Sequence, residues 1–526
     1  MPQRWWQGAV GYQIYLRSFA DGDGDGIGDL PGARARLPHL ADLGVDLVWI
    51  TPFYPSPQAD HGYDVADYVE VDPTFGTVAD LDGLVTDAHG MGMRVIIDLV
   101  PNHTSDRHPW FIDARSSRDA ARRDWYVWRD PAEDGGPPNN WVSHFGGPAW
   151  TFDETTGQYY LHLFLPEQPD LNWDHPEVRD AFDRILAFWF DRGVDGFRID
   201  VAHSLVKDPG LRDNPFVDGP PPPGATPQEV FWAHEHRHDL DQPGVLDVYR
   251  RWNRIAARYD AMLLGEVYLL EPERLARYVE DGDGLHTAFC FPVLKVGWDA
   301  GRIRDVLARS VEAGGEAMAW PLSSHDDPRA ATRFGGGERG ARRSLAYLAL
   351  LCGLPGQPFV YQGDELGLED GESEARADPI SVRNPGATGR DGSRTPVPWE
   401  PGDGLGFTAG TPWLPLGTNH GEEHTVARQD RDPDSHLNHV RRLLAARRRL
   451  PELRDGAPVQ WLDAGPEIVA LRRGSVVVAC HVGDGEATMP LPGAGELVHA
   501  TADRARVERG GLTLPHDATA YVRLAS

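Results

Sequence analysis

The sequence predicts an α/β protein: a (β/α)8 TIM barrel with an inserted lid subdomain after strand 3 and a C-terminal all-β (Greek-key) domain. Three observations predict it. Eight short, apolar, β-branched runs recur, each ending in polar residues and each followed by a helix-like segment. The third run is followed by about 70 residues rich in aromatics, Gly and Pro before the next helical pattern. Beyond residue 454 the spacing changes to alternating strands.

The eight runs are residues 10–16, 45–50, 94–99, 194–200, 261–266, 287–291, 317–322 and 357–361. Helical patterns separate most of them; HPEVRDAFDRILAFWFDRG places apolar residues at three- and four-residue intervals. A connection as long as 104–172 inside a compact domain is usually functional, so it is read as a subdomain over the barrel mouth. The Pro-rich run GPPPPGATP, residues 219–227, is a loop. The last barrel helix is LNHVRRLLAARRRLPELR, and IVALRRGSVVVACHV and LTLPHDATAYVRLA follow as strands. The expected units are a barrel over 1–103 and 173–454, an insertion over 104–172, and a β-sandwich over 455–526.

At 526 residues and 40% hydrophobic, the chain is long enough to bury a large core. A net charge of −29 argues against nucleic-acid or anionic-membrane partners, which require basic surfaces. The amino-terminal segment lacks a signal-like apolar region, and the longest apolar stretch, 345–354, is far short of the ~20 residues of a spanning helix. Cys290, Cys352 and Cys480 lie far apart without paired-ligand spacing, as buried thiols in a reducing compartment would. The expectation is a cytoplasmic monomer or small homo-oligomer.

The strand ends carry the chemistry. On the fourth run, GVDGFRID, Arg198 and Asp200 are two apart and share a face with Gly196. An Arg beside an Asp favours the ionised form a nucleophile needs. Glu266 ends the apolar fifth run, where an apolar wall would raise its pKa and suit it to general-acid work. His325 and Asp326 end the seventh run, and Asp98, followed by Asn102 and His103, ends the third. Singly, an Asp after a strand is more often a cap or turn residue. Four carboxylate endings on one barrel rim instead supply the two carboxyls that glycoside cleavage requires.

These residues resemble a known family. DLVPNH (98–103), GFRID (196–200), GEVY (265–268) and SSHDDPR (323–329) are similar, in order and spacing, to the four signature regions of the α-amylase superfamily, glycoside hydrolase family 13. QPDLN (168–172) resembles the variant of its oligo-1,6-glucosidase and α-glucosidase branch. The resemblance implies Asp200 as nucleophile, Glu266 as acid/base and Asp326, in preference to Asp327, as transition-state stabiliser. It places Arg198, His103, His325 and Asp98 around the first glucose. Asp60 and Tyr63 would hold the non-reducing end, with His61 where Asn is more usual. Arg394 would close the site, and Phe145 and Phe164 would be its aromatic walls. Tyr63 would offer a flat apolar face to the sugar.

The run DGDGDGIGD after the first strand sets oxygen ligands at alternate positions: Asp21, Asp23, Asp25, the Ile27 carbonyl and Asp29. It resembles an EF-hand loop but has Gly32 where the bidentate Glu would stand. In the family branch a corresponding loop binds Ca²⁺ or Mg²⁺ away from catalysis, so the expected metal is structural and no cofactor serves the reaction.

The implied activity is a retaining, exo-acting α-glucosidase on small α-glucosides. Val201, after the nucleophile, leans toward α-1,6 bonds by the family pattern, but the continuation AHSLVKD departs from the oligo-1,6-glucosidase form. Maltose-type α-1,4 substrates are therefore expected first, and oligo-1,6-glucosidase second. A glucosyltransferase or isomerase such as a trehalose synthase would use the same pocket. A non-catalytic, transporter-associated homologue would lack the carboxylates kept here.

Overall fold

The computed structural model describes residues 4–222, 224–280, 282–371, 378–383, 389–417, 420–454 and 456–525. Outside them lie the first three residues, Pro223 of the Pro-rich run, and positions 455 and 526 at the ends of the expected β-sandwich.

The eight apolar runs form eight parallel strands because each is buried on both faces, the condition that favours continuous apolar strands over alternating ones. They are β1 (Gly11–Ile14), β2 (Leu47–Ile50), β3 (Arg94–Leu99), β7 (Gly196–Ile199), β8 (Met262–Gly265), β9 (Thr287–Phe289), β10 (Met318–Pro321) and β11 (Gln357–Tyr361), with β4 (Trp128–Arg129), β5 (Trp150–Asp153) and β6 (Gln158–Leu161) in the insertion. The barrel closes in the order β1-β11-β10-β9-β8-β7-β3-β2. Parallel register sets Asp98 beside Arg198, and Ile199 beside Gly265, so the functional ends of β3, β7 and β8 are level. Gly11 has a steric reason: a Cβ there would fall 2.3 Å from the Phe359 ring that fills the barrel interior.

The helix Pro176–Asp191 buries Val178, Ala181, Phe182, Ile185, Leu186 and Trp189, the three-and-four spacing of an amphipathic face. The insertion is a small antiparallel sheet, order β4-β6-β5, with a helix at Pro109–Ser116. A second long connection, residues 203–244 after β7, was foreseen only as a Pro-rich loop. It packs Phe231 and Leu240 onto Trp141, Trp150, Leu161 and Leu163, so it and the insertion share one apolar cluster. Lys207 in that connection fastens the junction: its Nζ lies 2.7 Å from Asn102 Oδ1 and 2.9 Å from Asp170 Oδ2, and it bonds the Ser204 carbonyl.

The C-terminal strands are β12 (Val459–Leu462), β13 (Ile468–Arg473), β14 (Val476–His481), β15 (Glu486–Pro490), β16 (Gly495–Ala500), β17 (Arg506–Glu508), β18 (Gly511–Pro515) and β19 (Ala518–Leu524). They form two antiparallel sheets, ordered β12-β13-β14-β19-β16 and β15-β18-β17, with apolar residues between them. The Tyr521 hydroxyl bonds the Ala349 carbonyl of the barrel helix Gly337–Cys352. All three cysteines are buried, free thiols, and burial pushes each up to about 12. No helix among the described residues is long and apolar enough to cross a membrane.

Candidate active site

At the carboxyl ends of β3, β7 and β8, one guanidinium meets three carboxylates. Arg198 lies 2.7 Å from Asp98, 2.8 Å from Asp200 and 2.6 Å from Glu266. The period of two along β7 points Arg198 and Asp200 into the barrel together. Glu266 sits just past β8; its Oε2 also accepts the Val201 N–H at 3.0 Å. That bond explains an unusual backbone: Val201 has φ of +36°, a costly conformation for a β-branched residue. The strain turns a main-chain donor, rather than the Val side chain, onto Glu266.

The expected pair of opposite environments is corrected here. Glu266 does not rest on an apolar wall alone, since its carboxylate accepts from Arg198 and Val201. Arg198 does not serve Asp200 alone, and burial together with the Glu266 carboxylate pushes the Asp200 carboxyl well above the usual range. Three buried carboxylates around one cation leave an excess of negative charge, and burial together with that charge raises the Asp98 and Asp200 carboxyls.

Asp98 is fully buried, with one oxygen on Arg198 and the other accepting from Trp49 Nε1 at 3.0 Å and the Tyr63 hydroxyl at 3.3 Å. Burial raises it to about 7. It orients Arg198 rather than reaching into the cavity. Tyr63 stacks on His325, ring centres 5.5 Å apart, and its hydroxyl lies 2.8 Å from His325 Nε2. Burial keeps His325 neutral. Its Nδ1 accepts from the Gln13 amide at 2.7 Å, which leaves Nε2–H facing Asp326 at 3.2 Å.

Asp326 and Asp327 part company. Asp326 is reached by Arg390 at 3.0 Å and Arg394 at 2.8 Å. Burial would raise its carboxyl, but the His325 ring and both guanidiniums hold it well below the usual range. Asp327 instead pairs with Lys295. Arg390 also meets Asp60 at 2.9 Å and is itself held by Asp378 at 2.8 Å. The Arg that bridges Asp60 and Asp326 is therefore Arg390, while Arg394, buried beneath, bonds Asp326 and the His325 carbonyl at 2.8 Å. His61, beside Asp60, adopts φ of +49°, which accounts for the Asn-like preference at that position. His103 bonds the Tyr63 carbonyl at 3.0 Å, and Gln168 bridges toward Asp60 at 3.3 Å and His103 at 3.1 Å. Phe145 lies under Arg390, and Phe164 stacks on His144 and leans on His103.

All the expected catalytic and sugar-contacting residues thus gather at one barrel mouth. Gln13, Arg390, Asp378 and Lys207 are bonded to these residues or to their neighbours and were passed over by the sequence reading. Arg390 lies four residues before Arg394 in GRDGSR, a signal that the motif offered twice. A cavity lined by Gln13, Trp49, Arg198, Glu266, His325 and Asp326 marks the chemistry. A larger one lies elsewhere, between the insertion and the connection after β7.

The catalytic-domain family described as "Alpha amylase, catalytic domain" matches residues 13–456. The chain belongs to the α-amylase family, glycoside hydrolase family 13. It is 43% identical to a "Probable alpha-glucosidase" of Rhizobium meliloti (strain 1021), over 93% of this chain and 92% of that one. It is 37% identical to an "Oligo-1,6-glucosidase" of Halalkalibacterium halodurans, over 90% and 89% of the two chains. The crystal structure of an "alpha-glucosyl transfer enzyme" superposes with a TM-score of 0.93 at 40% identity, over 99% of this chain and 100% of that one. As a member of this glycoside hydrolase family the protein is an enzyme.

In the loop after β1, Asp21, Asp23 and Asp29 bring carboxylate oxygens within 4.8 Å of one another, a hard-oxygen set that fits a divalent cation. Asp25, an expected ligand, stands outside this group, and its Oδ1 accepts the Ile27 N–H at 2.8 Å. Asp29 also caps the helix Leu30–Ala35 through Gly32 N.

Proposed function

We propose that the protein is a retaining, exo-acting α-glucosidase that releases glucose from the non-reducing end of short α-glucosides, maltose-type α-1,4 substrates first. One observation carries this reading: Asp200 and Glu266 lie on the two terminal nitrogens of the one Arg198 guanidinium, at 2.8 and 2.6 Å. That proximity suits the separation of about 5–5.5 Å in retaining pairs, whereas inverting pairs stand about 6.5–9.5 Å apart to admit a water.

Asp200 attacks the anomeric carbon as Glu266 donates its proton to the departing oxygen. Arg198 then stabilises the carboxylate left on Glu266, which afterwards removes a proton from the water that hydrolyses the glucosyl-enzyme. Asp326, held anionic by Arg390 and Arg394, faces the positive charge of the oxocarbenium-like state. The Asp60–Arg390–Asp326 chain closes the pocket end, which limits it to one terminal glucose. Asp21, Asp23 and Asp29 hold a structural Ca²⁺ or Mg²⁺, with no step of the reaction at that loop.

A second reading, glucosyl transfer to a sugar acceptor, is favoured by the likeness to the glucosyl transfer enzyme. Purified protein on maltose, isomaltose, sucrose and trehalose, followed by NMR, tests both. Rapid release of α-glucose from maltose supports the α-1,4 reading. Faster cleavage of isomaltose makes Val201 the better guide. Little free glucose with a new di- or trisaccharide makes transfer the principal activity, and release of β-glucose removes retention.

A further inference from the structure

Beyond Glu266 the barrel rim carries an ion pair that the chemistry above leaves unused. Phe291 lines the cavity together with Glu266 and Asp326. Tyr268 packs on Phe291 with ring centres 5.0 Å apart. Lys295 places Nζ 5.4 Å from the centre of the Tyr268 ring. Lys295 also pairs with Asp327; its side chain is 39% exposed and that of Asp327 only 9%. The ends of β8, β9 and β10 therefore build one wall that runs from the acid/base out to a half-exposed ammonium.

The position of this wall decides its use. The acid that protonates a glycosidic oxygen sits at the bond being broken, so the departing half of the substrate lies beyond it. Tyr268 follows Glu266 by two residues, whereas Asp60 and Arg390 close the opposite end. In this pair Asp327 is buried while Lys295 is open to water, and an ion pair that water reaches contributes little to stability.

We propose that Lys295, with the Tyr268 hydroxyl, recognises hydroxyls of the departing or accepting sugar, and that Asp327, by orienting and neutralising Lys295, restricts this subsite to uncharged aglycones. The proposal rests on the α-glucosidase reading above. Lys295 is the contacting residue and Asp327 a positioning one. Removing the ammonium loses a charge-assisted bond that only a hydroxylated aglycone can make. Removing the Asp327 charge leaves the ammonium uncompensated and open to an anionic aglycone.

Steady-state kinetics of Lys295→Met and Asp327→Asn on maltose, p-nitrophenyl α-glucoside and maltobionate test this, since the last carries a carboxylate on its departing half. In Lys295→Met, KM for maltose should rise about tenfold more than KM for the aryl glucoside, the size expected for one charged hydrogen bond. In Asp327→Asn, kcat/KM on maltobionate relative to maltose should rise about tenfold. Equal factors on all three substrates in both variants would overturn the proposal and leave the pair structural. Should Asp327→Asn prove unfolded by its thermal melt, the Lys295→Met ratio decides alone. A wild-type protein that cleaves neither maltose nor the aryl glucoside removes the underlying glucosidase reading instead, a distinguishable failure.

Discussion

The Arg390 guanidinium meets the Asp60 carboxylate at 2.9 Å, across 330 positions of sequence. The loop after β2 and the loop after β11 are thereby tied over the pocket, and Asp378 fixes the same guanidinium from behind. Arg390→Met should raise KM for maltose by roughly 100-fold, because it frees two buried carboxylates of their partner. Arg390→Lys should recover little, a point charge being unable to span Asp60, Asp326 and Asp378 together. Kinetics on maltose and maltotetraose check this; equal KM values in variant and wild type would refute a closing role.

Asp200→Asn and Glu266→Gln should each lose roughly 10³-fold or more in kcat while melting like the wild type, since both changes are isosteric and remove a nucleophile or a proton donor. Turnover measured beside a thermal melt separates chemistry from folding. A fast residual rate in a clean preparation would remove these residues from the mechanism.

The raised Asp200 carboxyl predicts a pH effect with a definite sign. Asp200 must be ionised to attack, so kcat/KM falls on the acid side as pH drops through its elevated pKa. The Asp98 carboxylate is one of the charges that push it up. Asp98→Asn removes that charge, lowers the Asp200 pKa, and should move the acid limb of the profile toward lower pH. A limb that stays or moves upward contradicts the assignment.

Lys207 joins Asn102, Asp170 and the Ser204 carbonyl at a buried junction. Lys207→Met strands the Asp170 charge, so it should cost about 3–5 kcal/mol of stability, read from urea unfolding. Loss of activity should follow from the displaced insertion.

If Asp21, Asp23 and Asp29 hold a divalent cation, EDTA should lower the Tm by several degrees and leave kcat at 25 °C nearly intact. Asp23→Asn should abolish the EDTA effect. Asp25→Asn should leave it unchanged, because Asp25 lies outside the converging group. An EDTA-insensitive melt of the wild type refutes metal binding.

Much of this site was legible in the chain because strand periodicity is local. The two-residue spacing of Arg198 and Asp200 puts both on one face wherever β7 lies, and Glu266 and His325–Asp326 end apolar runs that could hardly be anything but barrel strands. Partners chosen by distant loops were not legible. Gln13 on β1 and His325 beyond β10 meet at 2.7 Å only because the barrel closes. Arg390 and Arg394 look alike in GRDGSR, and only the fold distinguishes the one that spans Asp60 and Asp326 from the one buried beneath.

The sequence by itself determined the strand and helix order, the acidic rim and the family, since these follow from periodicity and from motifs that act over a few residues. Tertiary structure decided which charges surround each carboxylate of the rim and the division of partners between neighbours. Asp200 and Glu266 were expected in opposite environments, yet they share one guanidinium with Asp98, and a pKa depends on every charge within a few ångströms, whatever its place in the chain. Asp326 and Asp327 are adjacent in sequence and bonded to different cations, Arg390 and Lys295, which the fold brings in from distant loops.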